Sequence, residues 1–330
     1  MKVSVLGGGN WGTTVASLVA RRHDTLQWAR NPEVVREINE DHRNTAYLPG
    51  FALHRHLRAT ADFEEAVRHA DLLILGVPTG AMRETASASR QWIHPWIPVV
   101  SLAKGLEQGT LLRMSQVISQ ELPMHPVAAL TGPNIASEII AGQAAASVVA
   151  TRDLAVARAL QEILSQGLFR VYSNHDVIGC ELGGALKNVV AIACGMAQGL
   201  GVGDNTRAGV MTRGLAELTR LGVAMGGEAQ TFAGLTGMGD LIATCTSPAS
   251  RNRTVGEKLG RGVPLADITS GMNMVAEGVK TATTAHQLAE RYGLEMPIHE
   301  TIYQVVNGSL APDQAYWGLA PLPGHESDPD

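Results

Sequence analysis

In the first 175 residues, short apolar runs rich in β-branched residues alternate with segments whose apolar positions recur at helical spacing. The runs occupy 3–6, 25–29, 72–77, 99–102, 127–131, 146–150 and 170–172, and the helical patterns lie near 11–22, 32–39, 62–69, 111–120 and 153–166. Such alternation predicts a parallel sheet covered by helices, because parallel neighbours need a crossover and a helix supplies it. From about Val177 the strand signal stops. Long apolar-periodic stretches follow at 182–197, 207–221 and 281–292, separated by glycine clusters. The expected architecture is an α/β domain with a doubly wound, mostly parallel sheet over residues 1–175, then an all-α domain over 176–330. The change of pattern near 173–179 carries no flexible linker, which predicts two domains packed around a shared cleft. The last dozen or so residues, rich in Pro, Gly and Asp, are expected to fray.

Composition restricts the partners. With 45% hydrophobic but only 4% aromatic residues and 36 glycines, small side chains must do much of the packing. The formal charge of −5 is spread without long like-charge runs, so neither nucleic acid nor an anionic membrane surface is an expected partner. Any bound anion must be small and met locally. Cys180, Cys194 and Cys245 are odd in number and too far apart in sequence for a zinc knuckle or a redox pair, which suits a reducing cytoplasm. The apolar residues 3–6 run straight into three glycines with no cleavage region, so no signal peptide is expected. The uncharged run 188–203 holds several glycines and Gln198 and directly follows Lys187, so an integral membrane segment is not expected either.

Directly after the first predicted strand comes Gly7-Gly8-Gly9-Asn10-Trp11-Gly12, a G-x-G-x-x-G pattern that opens a helical segment. Gly7 would allow the tight turn, Gly9 would let the backbone approach a pyrophosphate at the helix N-terminus, and Gly12 would permit close packing of the helix. A merely flexible glycine turn is the weaker reading, since strand, motif and helix coincide at the expected offsets. A Rossmann-like dinucleotide site is therefore expected. The acidic residue that holds an adenine ribose should end the second strand, but Arg30 stands there, and Asp24 precedes that strand at its wrong end. A guanidinium suits a 2′-phosphate, so NADP(H) is expected in preference to NAD(H), with NAD(H) still usable. A plain solvated arginine is the alternative.

Only five of the 26 cationic residues are lysines, so the setting of each is informative. Lys187 sits in the most apolar helical segment, within Gly183-Gly184-Ala185-Leu186-Lys187-Asn188. A bare ammonium there must be offset by a carboxylate, hydrogen bonds or a bound anion, and desolvation would lower its pKa toward the range useful for proton transfer. A stem that snorkels to solvent is the alternative. Lys104 follows the 99–102 run, at the strand end where doubly wound sheets bind ligands, although position alone would equally give a solvated loop lysine. The same edge logic covers Thr131-Gly132-Pro133-Asn134-Ile135-Ala136. Asp240, set among apolar residues in Gly237-Met238-Gly239-Asp240-Leu241, is a candidate partner for Lys187. Ser250 has the look of an N-cap whose helix could offer free N–H groups and the Arg251 guanidinium to a phosphate, while a capped basic turn is the plainer reading of Ser250-Arg251-Asn252-Arg253. Nothing has metal-ligand spacing, so no metal is expected.

Taken in order, GGGNWGTTVA, SLAKGLE, LTGPNIASEI, ELGGALKNVVAIACGMAQGLGVGDNTRAG and GLTGMGDLIATCTSPASRNRTVG, with MVAEGVKTA and MPIHETIY behind them, give the chain its signature. From about residue 2 to 308 it resembles the bacterial NAD(P)-dependent sn-glycerol-3-phosphate dehydrogenase family. The resemblance implies a cytoplasmic oxidoreductase, expected as a homodimer, that interconverts dihydroxyacetone phosphate and sn-glycerol 3-phosphate and supplies the latter for phospholipid synthesis. It also implies Lys187 as proton donor or acceptor, Lys104 at substrate and cofactor, Asp240 supporting the catalytic lysine, and Arg251 with Asn252 on the substrate phosphate. Asn10, Trp11, Arg30, Ala136, Val275 and Glu277 would line the cofactor, with Arg251 also near it, and Gly132 and Asn134 the substrate. Asn10 and Asn134 replace a serine or another small residue, which concerns their side-chain contacts more than their backbone. Two rivals are another Rossmann-plus-helical dehydrogenase of hydroxy or sugar acids, separated by a keto-acid panel, and a non-catalytic dinucleotide sensor, excluded by substrate-driven cofactor oxidation.

Overall fold

The computed structural model describes residues 1–272 and 276–315; the expected fraying end lies outside them. The chain forms two compact units, Met1–Ala103 with Leu112–Val177, and Lys104–Leu111 with Ile178–Asp330. The short excursion Lys104–Leu111 thus belongs with the helical unit, although it interrupts the α/β part of the sequence.

The first unit is built on eight strands: β1 Lys2–Leu6, β2 Asp24–Trp28, β3 Arg58–Thr60, β4 Leu72–Leu75, β5 Val99–Ser101, β6 Val127–Thr131, β7 Ala145–Ala150 and β8 Phe169–Asn174. Their order is β3-β2-β1-β4-β5-β6-β7-β8, and every neighbouring pair is parallel except β6 with β7. The doubly wound, mostly parallel sheet is therefore as expected. Strand order reverses between β1 and β4, and the crevice outside the carboxyl ends at such a reversal is where this architecture takes ligands. Leu72, Leu73, Ile74 and Leu75 are all buried, which explains their unbroken apolar run: helices cover both faces of a parallel sheet.

Seven strands coincide with the seven apolar runs, and the eighth, β3, is a three-residue edge strand with only Ala59 buried, too short to show a period. The helices of this unit are α1 Asn10–Val19, α2 Pro32–Arg36, α3 Phe63–His69, α4 Met82–Ser89, α5 Met114–Glu121, α6 Ala136–Ile140 and α7 Leu154–Leu164. The 32–39 pattern is α-helical only to Arg36 and then widens into a π turn over Glu37–Asp41, closed by His42 at φ 50°. Helix α4 escapes a hydrophobicity reading because its buried face is Met82, Thr85, Ala86 and Ser89. The spacing is helical but the hydroxyls mask it; Thr85 and Ser89 donate back to the carbonyls of Ala81 and Thr85 at 2.7 and 2.8 Å.

The second unit holds α8 Val177–Gly199, α9 Asp204–Ala224, α10 Ala229–Phe232, α11 Asp240–Thr246, α12 Arg251–Gly260, α13 Leu265–Ser270, α14 Glu277–Tyr292, α15 Pro297–Val306 and α16 Pro312–Ala315. Helix α8 is long and apolar enough to cross a membrane, yet 94% of its most apolar stretch is buried inside the protein, so it is a core helix. It crosses α12 with backbones nearly touching. A Cβ on Gly195 would lie 1.9 Å from the Arg253 carbonyl oxygen, and one on Gly256 1.9 Å from that of Ile192. Gly195 and Gly256 are thus contact points that let the two helices approach.

Candidate active site

In the first unit, β1 runs through Gly7, Gly8 and Gly9 into α1. Gly7 has φ +127°, and a Cβ there would sit 2.6 Å from the Gly76 carbonyl oxygen; one on Gly12 would sit 2.7 Å from the Gly7 oxygen. Gly7, Gly12 and Gly76 interlock, and Gly76, just past β4, is a member of this turn that the motif alone does not disclose. Around Gly9 the space is open, with nothing within 4 Å of a Cβ position. Gly9 caps α1 without a side-chain bond, so the helix N-terminus keeps backbone donors for an anion. Asn10 Oδ1 accepts from the Trp11 amide at 2.8 Å, so this side chain serves its own helix end. Trp11 packs edge-on against Phe169, and its buried indole N–H meets no acceptor among the described residues. An open glycine turn, free donors and an orphaned indole N–H fit a dinucleotide.

Arg30 is exposed just beyond the carboxyl end of β2, and no ion pair holds it among the described residues. Asp24 begins the same strand and is bound to Arg58 at 2.8 Å. At the carboxyl end of β6, Gly132 turns the chain at φ +137° against Ser147. Asn134 donates to Ser147 Oγ at 3.1 Å and leaves its buried Oδ1 without a partner among the described residues. Ala136 opens α6 and is buried.

The second unit brings together the residues with the sharpest chemistry. Asp240 is the first residue of α11, preceded by a π turn over Leu235–Gly239. That turn presses against α8 because Gly183 has no side chain: a Cβ there would lie 2.7 Å from the Thr236 oxygen. The Asp240 carboxylate, 2% exposed, lies between two ammoniums. Its Oδ1 is 3.0 Å from Lys187 Nζ, and its Oδ2 accepts from Lys104 Nζ at 2.8 Å. Lys187 also donates to Thr244 Oγ1, whose hydroxyl donates to Asp240 Oδ1 at 3.3 Å. Lys187 is buried with only 5% of its side chain exposed, whereas Lys104 keeps 17%. Burial pulls Lys104 down from 10.5 to about 8 in spite of Asp240, with Lys187 and Arg251 adding repulsion.

A chain of amides supports this cluster. The Gly278 N–H donates to Asn252 Oδ1 at 3.0 Å, Asn252 Nδ2 to Asn188 Oδ1 at 2.9 Å, and Asn188 Nδ2 to the Lys104 carbonyl at 3.1 Å. Asn188 and Thr244 join the cluster without a signal of their own in the sequence, because neutral polar side chains stand out nowhere along a chain. Ser250 caps α12 by accepting from the Arg253 amide at 3.2 Å. Arg251, the first residue of α12, is half-buried, and desolvation lowers its pKa, while Glu277 acts to raise it. Arg253 is a structural cation, donating to the Ser247 carbonyl and Gln198 and paired with Glu257 at 3.1 Å. Val275 lies outside the described residues.

Two family patterns cover nearly the whole chain: the NAD-dependent glycerol-3-phosphate dehydrogenase N-terminus matches residues 2–157 and the corresponding C-terminus residues 176–316. The chain belongs to the NAD-dependent glycerol-3-phosphate dehydrogenase family. Among its glycerol-3-phosphate dehydrogenase [NAD(P)+] relatives, one from Sphingopyxis alaskensis is 57% identical over 319 residues, which is 97% of this chain and 96% of the relative. One from Mycobacterium avium is 53% identical over 327 residues, or 98% and 96%. The crystal structure of glycerol-3-phosphate dehydrogenase from Coxiella burnetii matches with a TM-score of 0.91 at 34% identity, covering 96% of this chain and 98% of that one. The expected family is therefore borne out, and with it an oxidoreductase fold that uses NAD(P).

Proposed function

We propose that this protein interconverts dihydroxyacetone phosphate and sn-glycerol 3-phosphate, with NADPH as its preferred reductant. The observation that carries the reading is the single buried carboxylate of Asp240 shared by Lys187 and Lys104. The nicotinamide ring, when bound at the glycine turn, supplies or takes up the hydride. The chain's own residues handle the rest. Reduction of a ketone leaves charge on its oxygen, and Lys187 Nζ, held by Asp240 and Thr244, donates the proton there; in the reverse direction it takes the proton back. Lys104 and Arg251, with Gly132 and Asn134, hold the anionic substrate, and Asn252 steadies Lys104 through Asn188. Arg30 receives the 2′-phosphate of the cofactor. A cytoplasmic homodimer that supplies glycerol 3-phosphate for phospholipid synthesis completes the reading; light scattering on the purified protein checks the dimer.

The test follows NADPH absorbance with dihydroxyacetone phosphate, then with NADH, and then with a panel of keto acids. Rapid oxidation with dihydroxyacetone phosphate alone is expected. Turnover of a keto acid in its place would move the protein to a hydroxy-acid reaction, and no substrate-driven oxidation would leave a binding protein.

A further inference from the structure

The glycine turn is held from behind by two side chains that the motif does not contain. Gln27 on β2 and Asn44, in the loop after the π turn, are both fully buried, as is Thr13 on α1. Gln27 Nε2 donates to the Gly7 carbonyl at 2.8 Å and to Thr13 Oγ1 at 2.9 Å. Asn44 Nδ2 donates to the Gly8 carbonyl at 2.9 Å and to the same Thr13 Oγ1 at 2.9 Å. Each amide therefore forks between one carbonyl of the turn and one shared hydroxyl. Thr13 returns its proton toward the Gly8 carbonyl at 3.3 Å.

A trans peptide is planar, with its C=O and the following N–H pointing in opposite directions. Fixing the Gly7 carbonyl inward turns the Gly8 N–H outward, and fixing the Gly8 carbonyl does the same for the Gly9 N–H. Neither amide finds an acceptor among the described residues, and the space at Gly9 is open. Glycine constrains its own torsions least, so holding the two carbonyls is what fixes the direction of these peptide planes. The arrangement also leaves Gln27 Oε1 and Asn44 Oδ1 buried without partners among the described residues, an unfavourable state offset by what the two NH₂ groups do.

We propose that Gln27 and Asn44 are positioning residues for the cofactor, locking two peptide planes of the glycine turn so that the Gly8 and Gly9 N–H groups face a pyrophosphate. The inference rests on the dinucleotide reading of that turn. Its advantage is preorganisation: the donors are aimed before the anion arrives, so binding does not have to order them.

The test uses the full-length apoprotein. Asn44→Leu removes both donors of one fork at nearly constant volume, and Gln27→Met does so for the other, carrying the test alone if the first variant does not fold. Each should weaken the Kd for NADPH, measured by calorimetry, by about tenfold, raise its KM in parallel, and leave kcat at saturating cofactor within about twofold. Hydrogen exchange at Gly8 and Gly9 in the unmodified protein should slow when NADPH is added. A variant with lower Tm but unchanged Kd and KM, or amides that stay unprotected under saturating NADPH, overturns the lock. Absence of NADPH and NADH binding to the unmodified protein would instead overturn the dinucleotide reading on which it rests.

Discussion

Lys104 and Asp240 stand 136 positions apart in the chain, yet Lys104 Nζ donates to Asp240 Oδ2 at 2.8 Å. Because the other oxygen of the same carboxylate is 3.0 Å from Lys187, two ammoniums share one negative charge. Arg251 is near enough to repel Lys104 further. Burial is what pulls Lys104 down despite its partner, with the neighbouring cations adding to it, and that positive charge is the field an anionic substrate would meet.

Lys104, lowered to about 8, is a cation below that pH and neutral above it. Its attraction for a phosphorylated substrate is therefore present at neutral pH and lost as pH rises through 8. The kcat/KM for dihydroxyacetone phosphate, which reports the free enzyme, should show an alkaline limb near pH 8. Lys104→Met should lower kcat/KM and abolish that limb. Asp240→Asn removes the charge that holds the proton on, so the limb should move to lower pH. A limb unchanged in Lys104→Met assigns it to another group.

Lys187→Met keeps the apolar stem on α8 and deletes only the ammonium. Without the proton donor, kcat should fall by about 10²–10⁴, with NADPH binding retained. Near-normal turnover in a folded variant would move the proton chemistry to Lys104.

The sheet, the glycine turn and Lys187 were legible in sequence because each breaks a local expectation: an apolar run in a strand-length window, a G-x-G-x-x-G between strand and helix, a charge in an apolar helix. Helix α4 was not, since Thr85 and Ser89 bury hydroxyls where a pattern reader wants methyls. Asp240 was legible as a carboxylate among apolar residues, but its contact with Lys104 belongs to tertiary structure. Asn188, Thr244, Gln27 and Asn44 are invisible for one common reason. Neutral amides and hydroxyls are ordinary in any sequence, and only burial and two well-aimed bonds reveal their work.

Arg30→Ala should reduce the preference for NADPH over NADH. Arg30 is exposed, with no carboxylate partner among the described residues, so a 2′-phosphate would gain a charge-assisted bond on the order of 1.5–3 kcal/mol, roughly ten- to a hundredfold. Comparing kcat/KM for the two cofactors in both proteins checks this, and an unchanged ratio removes Arg30 from the site.

Gly256→Ala tests the crossing of α8 and α12. An alanine Cβ would lie 1.9 Å from the Ile192 carbonyl oxygen, a backbone atom that cannot yield by rotating a side chain. Separating the helices should cost about 1–3 kcal/mol or more and lower the Tm. A Tm equal to the unmodified protein would mean that the helices have room to part.

Arg251 supplies the sharpest check on substrate class. It opens α12, whose N-cap Ser250 accepts from the Arg253 amide, and its guanidinium is the group assigned to the substrate phosphate. Partial burial leaves it poorly solvated, which strengthens its pull on an incoming anion. Arg251→Ala should therefore lower kcat/KM for dihydroxyacetone phosphate by about 2–4 kcal/mol. Reduction of unphosphorylated dihydroxyacetone, expected to be slow from the start, should hardly change, because that substrate cannot make the contact. The ratio of the two losses isolates the phosphate from any general damage, and NADPH affinity measured in the same variant separates a cofactor effect. Equal proportional losses for both substrates would assign Arg251 to folding or cofactor binding.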